Sequence, residues 1–106
     1  GSSSAAYKDS TKPGQTKSLK ASSKSSAVTL TWNKVTRASG YQVYRYNSKT
    51  KKYEKLATVK GNTTFSYKNT KLKKGTTVKY KVRAYKTYNG TNYYGAFSDI
   101  VSIKVK

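Results

Sequence analysis

A net charge of +20 on 106 residues, from 23 Lys and Arg against three acids, describes one small domain that repels itself and attracts polyanions. The chain has no Cys, His or Met, which excludes disulfides, thiolate nucleophiles, imidazole bases and nearly every transition-metal site. Its carboxylates are Asp9, in a polar head, and Glu54 and Asp99, too many strands apart for an acid–base pair or an oxygen-ligand metal cage; no catalytic residue, metal or cofactor is expected.

Taken in chain order, residues 1–15 are polar and without periodicity. They read as a flexible linker or tail, its opening Gly-Ser-Ser-Ser a cloning remnant. Residues 16–106 form the domain, where the hydrophobic period is two rather than 3.6. A short strand is expected over 16–22. Val28, Leu30 and Trp32 alternate with Thr29 and Thr31 in a second, over 27–32. Tyr41 and Val43 alternate with Gln42 and Tyr44 in a third, over 40–46. Leu56, Thr58 and Val59 give a weaker fourth over 53–59, and Phe65 with Tyr67 a fifth over 63–68. Val78, Tyr80, Val82 and Ala84 alternate with Lys79, Lys81 and Arg83 in the sixth, over 76–88. Val101, Ile103 and Val105 close the chain in a seventh, over 91–106. Short strands at this spacing, with one apolar face, predict an all-β, seven-stranded antiparallel immunoglobulin-like β-sandwich. Trp32 is expected at the centre of its core, with Leu30, Tyr41, Val43, Tyr80, Val82 and Ile103 around it. No run of about 18 apolar residues predicts a membrane span, and no signal-peptide pattern opens the sequence.

Asn89-Gly90 is a two-residue hairpin signal, because a type I′ turn needs φ > 0 at both centres. It sets Tyr88 opposite Thr91, Thr87 opposite Asn92, Lys86 opposite Tyr93 and Tyr85 opposite Tyr94. Period two then turns Tyr85 and Tyr94 to one face and Tyr88 and Tyr93 to the other. Carried across the sheet, the same parity predicts an outer platform of Tyr44, Tyr46, Tyr85 and Tyr94 interleaved with Lys81 and Arg83. In a structural reading these rings are cross-strand contacts worth about 0.2–1 kcal/mol each, Tyr88 and Tyr93 cap the core, and Phe97 is a core residue. In a functional reading the tyrosines bind a ligand: sugars stack on such rings, and Lys around them attracts anionic polymers such as teichoic acid or acidic polysaccharide. The basic turns 47–52 and 71–75 read as solvated loops with a secondary chance of polyanion contact.

Several segments resemble a fibronectin type III domain. VTLTW at 28–32 resembles that family's second strand with its buried Trp, and SGYQVYRY at 39–46 its third. LKKGTTVKYKVRAY at 72–85 resembles the approach to the sixth strand, and YGAFSD at 94–99 the start of the last. The ordered set covers about 90 residues, from Thr16 to Lys106. The family's tyrosine at the start of the sixth strand, which ties the corner to nearby backbone, is Val78 here. No Arg-Gly-Asp is present, so an integrin-binding loop does not carry over. The Tyr- and Lys-rich wording looks like modules of multidomain secreted proteins of Gram-positive, clostridia-like bacteria. The resemblance implies a non-catalytic, monomeric spacer or accessory module, extracellular, secreted or wall-attached, whose partners are neighbouring domains and, alternatively, a polysaccharide or anionic cell-wall polymer. With three arginines and no recognised motif, nucleic acid is expected to bind only nonspecifically, by counterion release at low salt.

Overall fold

Alternating β-branched and aromatic residues make strands here because a pleated chain turns every second side chain to the same face. The computed structural model describes residues 13–61 and 63–106. In it the strands are β1 (Lys20–Lys24), β2 (Ala27–Thr31), β3 (Gly40–Asn47), β4 (Lys52–Lys60), β5 (Ser66–Asn69), β6 (Thr77–Tyr88), β7 (Thr91–Tyr94) and β8 (Val101–Lys104). One sheet has the order β1-β2-β5; the other runs β4-β3-β6-β7, with β8 also on β6. Every pairing is antiparallel. The result is the all-β sandwich that the alternation predicts. No helix among the described residues is long and apolar enough to cross a membrane.

The core is the predicted one. Leu30, Tyr41, Val43, Tyr80 and Val82 are sealed from solvent and Trp32 nearly so, while Ile103 is partly buried against their edge. Trp32 meets Tyr41 edge-on, centroids 5.4 Å apart. The Tyr41 hydroxyl in turn accepts the buried Val35 N–H at 3.0 Å. Burial holds the Tyr80 phenol above its ordinary pKa range; a hydrogen bond from Asn69 Nδ2 to its oxygen, 3.0 Å, opposes that shift.

Three predicted strands differ from the observed ones by more than one residue at an end. The first strand begins at Lys20 rather than 16, because Ser18 takes φ 59° and kinks the chain ahead of the ladder. The fifth begins at Ser66, which leaves Phe65 out of the core at 44% exposure. The seventh, expected as one strand, is two. Register on β6 steps from Tyr85↔Tyr94 to Tyr80↔Val101, so two extra residues are taken up between β7 and β8. Two is an even number, so the parity of both halves survives. Within the break, Ser98 stands in for the ladder: its N–H donates to Val82 O at 2.7 Å and its Oγ accepts Val82 N–H at 3.1 Å. Ser98→Ala leaves that buried N–H without its acceptor and is expected to cost about 1–3 kcal/mol in chemical denaturation. A loss under about 0.5 kcal/mol would mean that water reaches the amide.

Turns complete the frame. Asn89 and Gly90 take φ 51° and 80°, and the four predicted cross-strand pairs form. Ser25 and Ser26 take the same left-handed shape, φ 53° and 63°, between β1 and β2. The corner before β6 is tied by two bonds: Thr76 Oγ1 to Lys73 O at 2.6 Å and Gly75 N–H to Val105 O at 2.9 Å. Of the expected tail, residues 1–12 lie outside the described residues. Residues 13–15 lie against the sandwich, with Pro13 buried and Gln15 Nε2 donating to Phe97 O at 3.0 Å.

Candidate binding surface

Because Val78, Tyr80, Val82 and Ala84 of β6 face the core, Lys79, Lys81, Arg83 and Tyr85 must face outward, about 7 Å apart along the strand. Three like charges in such a row repel one another. The neighbouring strands answer with rings. Arg83 lies over Tyr94 at 4.0 Å, Phe97 at 4.8 Å and Tyr44 at 5.2 Å. Lys81 Nζ sits 3.9 Å from the Phe97 centroid and 4.3 Å from that of Tyr53. Lys79 Nζ lies 5.4 Å from Tyr46, whose ring meets Tyr53 at 5.1 Å. Each cation faces the negative π-surface of at least one ring, an attraction worth about 0.5–1 kcal/mol at exposed sites.

Polar bonds fix the Arg83 end. Its Nε donates to Gln42 Oε1 at 3.2 Å and its Nη2 to the Tyr44 hydroxyl at 2.9 Å, while that hydroxyl donates to Gln42 Oε1 at 3.3 Å. Tyr44 also meets Phe97 edge-on at 5.0 Å. At the other end, burial and then the neighbouring Tyr46 phenol hold the Tyr53 hydroxyl above its ordinary pKa range.

Of the predicted platform, the structure brings Tyr44, Tyr46 and Tyr94 together with Lys81 and Arg83. Tyr85 shares their face and pairs with Tyr94, but its ring lies over Gly40: a Cβ added to that glycine would come 2.7 Å from the Tyr85 hydroxyl. Tyr88 and Tyr93 form a separate pair at the hairpin tip, centroids 6.3 Å apart. They do not cap the core, since the hairpin runs past its end and leaves Tyr88 39% exposed. Phe97 is likewise no core residue; the extra residues of the β7–β8 break set it on the outer face, between Lys81 and Arg83.

Gln42, Tyr53 and Phe97 were missing from the predicted surface. Two of them carried a signal: Gln42 shares the parity of Tyr44, and Tyr53 falls opposite Tyr46 once the β3–β4 hairpin is closed. Phe97 carried none, because no sequence pattern gave the length of the break. Chemically, the row offers ring edges and hydroxyls more than open ring faces, since its cations already cover those faces. Sugar stacking needs an open face, so the tip pair suits it better than the row does.

No protein-family model matches the sequence, and no curated protein matches it. Solved structures do. A Fn3-like protein from Clostridium thermocellum aligns with a TM-score of 0.62 at 30% identity, over 83% of this chain and 90% of that one. The structure of FN3tt mut aligns with a TM-score of 0.63 at 18% identity, over 85% and 90% of the two chains. Pectate lyase PelI from Erwinia chrysanthemi aligns with a TM-score of 0.63 at 24% identity, over 84% of this chain but 27% of the lyase chain. The last two speak for the fold alone.

Proposed function

The chain belongs to the fibronectin type III family, and from that premise we propose that it is a non-catalytic spacer or accessory interaction module of a larger secreted or cell-surface bacterial protein. The observation that carries this reading is the outer face of the β4-β3-β6-β7 sheet. There Lys79, Lys81 and Arg83 are matched to rings of the same chain, so the sheet's most chemically distinctive surface is engaged in holding itself together. The proportions of the matches agree: nearly all of the clostridial Fn3-like chain is covered, and about a quarter of the Erwinia chain. A module of this kind has neighbouring domains as its first partners.

A second reading rests on the Tyr88–Tyr93 pair, in which Tyr88 is exposed and Tyr93 half-buried; it offers aromatic surface at the hairpin tip to a polysaccharide or wall polymer. A pull-down on insoluble polysaccharides and Gram-positive cell wall, at low and high salt, separates the two. The spacer reading expects retention that vanishes with salt on every polymer, as simple charge attraction does. Retention at high salt on one polymer, lost in Tyr88→Ala or Tyr93→Ala, would make the tip a binding site and displace the spacer reading.

A further inference from the structure

Two basic turns that stand apart in sequence, 47–52 and 71–75, meet across one end of the sandwich. Between them lies a cleft of about 610 Å³, within the range of ligand sites. Its apolar lining is Leu56, Leu72 and the buried Val78, and Arg45, Lys49, Lys55 and Lys73 line it with a single carboxylate, Glu54; Lys79, at its edge, is turned to Tyr46 on the outer face. Asn47, Ser48, Thr76 and Thr77 add hydroxyl and amide groups.

Both rims are held in place. Asn47 organises the first: its Oδ1 accepts Lys49 N–H at 2.9 Å, its carbonyl accepts Lys51 N–H at 2.7 Å, and its Nδ2 donates to Glu54 Oε1 at 3.2 Å. The last of these bonds engages the one carboxylate of the cleft with an amide. The second rim is tied through Leu72 N–H to Ser26 O at 3.0 Å and through the Thr76 and Gly75 bonds of the β6 corner. A ligand entering here meets a backbone frame and an apolar floor already in position, which lowers the entropic cost of binding.

We propose that this cleft binds a stretch of carboxylated polysaccharide, a uronate oligomer laid along the floor. A pyranose ring presents a C–H face that suits Leu56, Leu72 and Val78, and its hydroxyls suit Asn47, Ser48, Thr76 and Thr77. Carboxylates spaced along a flexible polymer can be met by separate Lys ammonium groups, with Arg45 able to hold one as a bidentate pair. A polyphosphate uses the charges but leaves the apolar floor uncovered. A single-stranded nucleic acid wants several stacking rings, and the cleft has Tyr46 alone. The inference goes beyond the spacer reading and does not use the tip tyrosines, so failure here leaves both readings of the previous section standing.

The test is calorimetric titration of the whole chain with pentagalacturonic acid at about 0.15 M salt, where long-range charge attraction is largely screened. The variant Arg45→Gln/Lys49→Gln/Lys73→Gln removes three cleft charges. The control Lys20→Gln/Lys24→Gln/Lys68→Gln removes three from the opposite sheet, so both carry the same net charge. Loss of about tenfold in affinity in the first, and at most about twofold in the second, is the expected result for a local site. Amide shifts on the unmodified chain, confined to residues 45–49, 54–56 and 72–79, give the same answer should the variant fold poorly. Equal losses in both variants, no binding at this salt, or inorganic polyphosphate binding as tightly as the uronate would overturn the proposal.

Discussion

Trp32→Ala is expected to destabilise the domain by about 3–5 kcal/mol, the range for removing a large aromatic from a core. A domain of this size has about 5–15 kcal/mol in total, so the loss is a large fraction of its stability. The basis is position: Trp32 is 3% exposed, follows β2 directly, and meets Tyr41, which itself holds the Val35 amide. Loss of the indole therefore empties volume and loosens the ring that fixes the β2–β3 connection. Its Nε1–H has no hydrogen-bond partner among the described residues. For that reason Trp32→Phe should lose far less, about 1–2 kcal/mol, since no indole bond is broken and an edge-on ring is kept. Urea denaturation followed by far-UV circular dichroism compares all three proteins; fluorescence does not serve, because Trp32 is the chain's one tryptophan. Equal losses for Ala and Phe would show that the indole nitrogen is bonded after all and that volume is not the main term.

Gly40→Ala is the other large expected effect, about 2–3 kcal/mol of overpacking from a single methyl group. The added Cβ would fall within contact of the Val59 carbonyl oxygen and 2.9 Å from Tyr85 Cε2. The two obstacles differ. Tyr85 is the far end of a side chain and can swing away. Val59 O is backbone in the β3–β4 ladder and moves only if the ladder does. A double-mutant cycle separates them. Adding Tyr85→Ala should recover only part of the Gly40→Ala loss. Complete recovery would place the whole clash at the ring and clear the backbone. Gly40 itself gains from that ring, which covers a strand position that has no side chain of its own.

What could be read from the sequence follows the physics of each signal. Period two sufficed for the core, since burial of Leu30, Val43 and Val82 depends only on which face a strand turns inward. The Asn89-Gly90 pair sufficed for the hairpin, because its backbone shape is a property of those two residues. The platform was legible as a face and partly wrong as a membership. Tyr85 left it for Gly40, whose missing side chain makes room; Phe97 joined it through a break whose two extra residues no local pattern specifies. Boundaries at Ser18 and Phe65 escaped for a similar reason, being set by one left-handed residue and by where the β2–β5 ladder begins rather than by periodicity.

The Ser25–Ser26 and Asn89–Gly90 turns have one shape and two different origins. Asn and Gly adopt left-handed φ readily, whereas each serine there is strained by about 1 kcal/mol. That strain is held from outside: Ser26 N–H donates to Lys106 O at 2.6 Å, Lys106 N–H donates to Ser23 Oγ at 2.7 Å, and Ser26 O accepts Leu72 N–H. The 85–94 hairpin thus carries its turn instructions in its own two central residues. The 20–31 hairpin does not; cut loose, it would forget its turn. One half of this sandwich is self-templating, and the other takes its form only once the last strand has arrived.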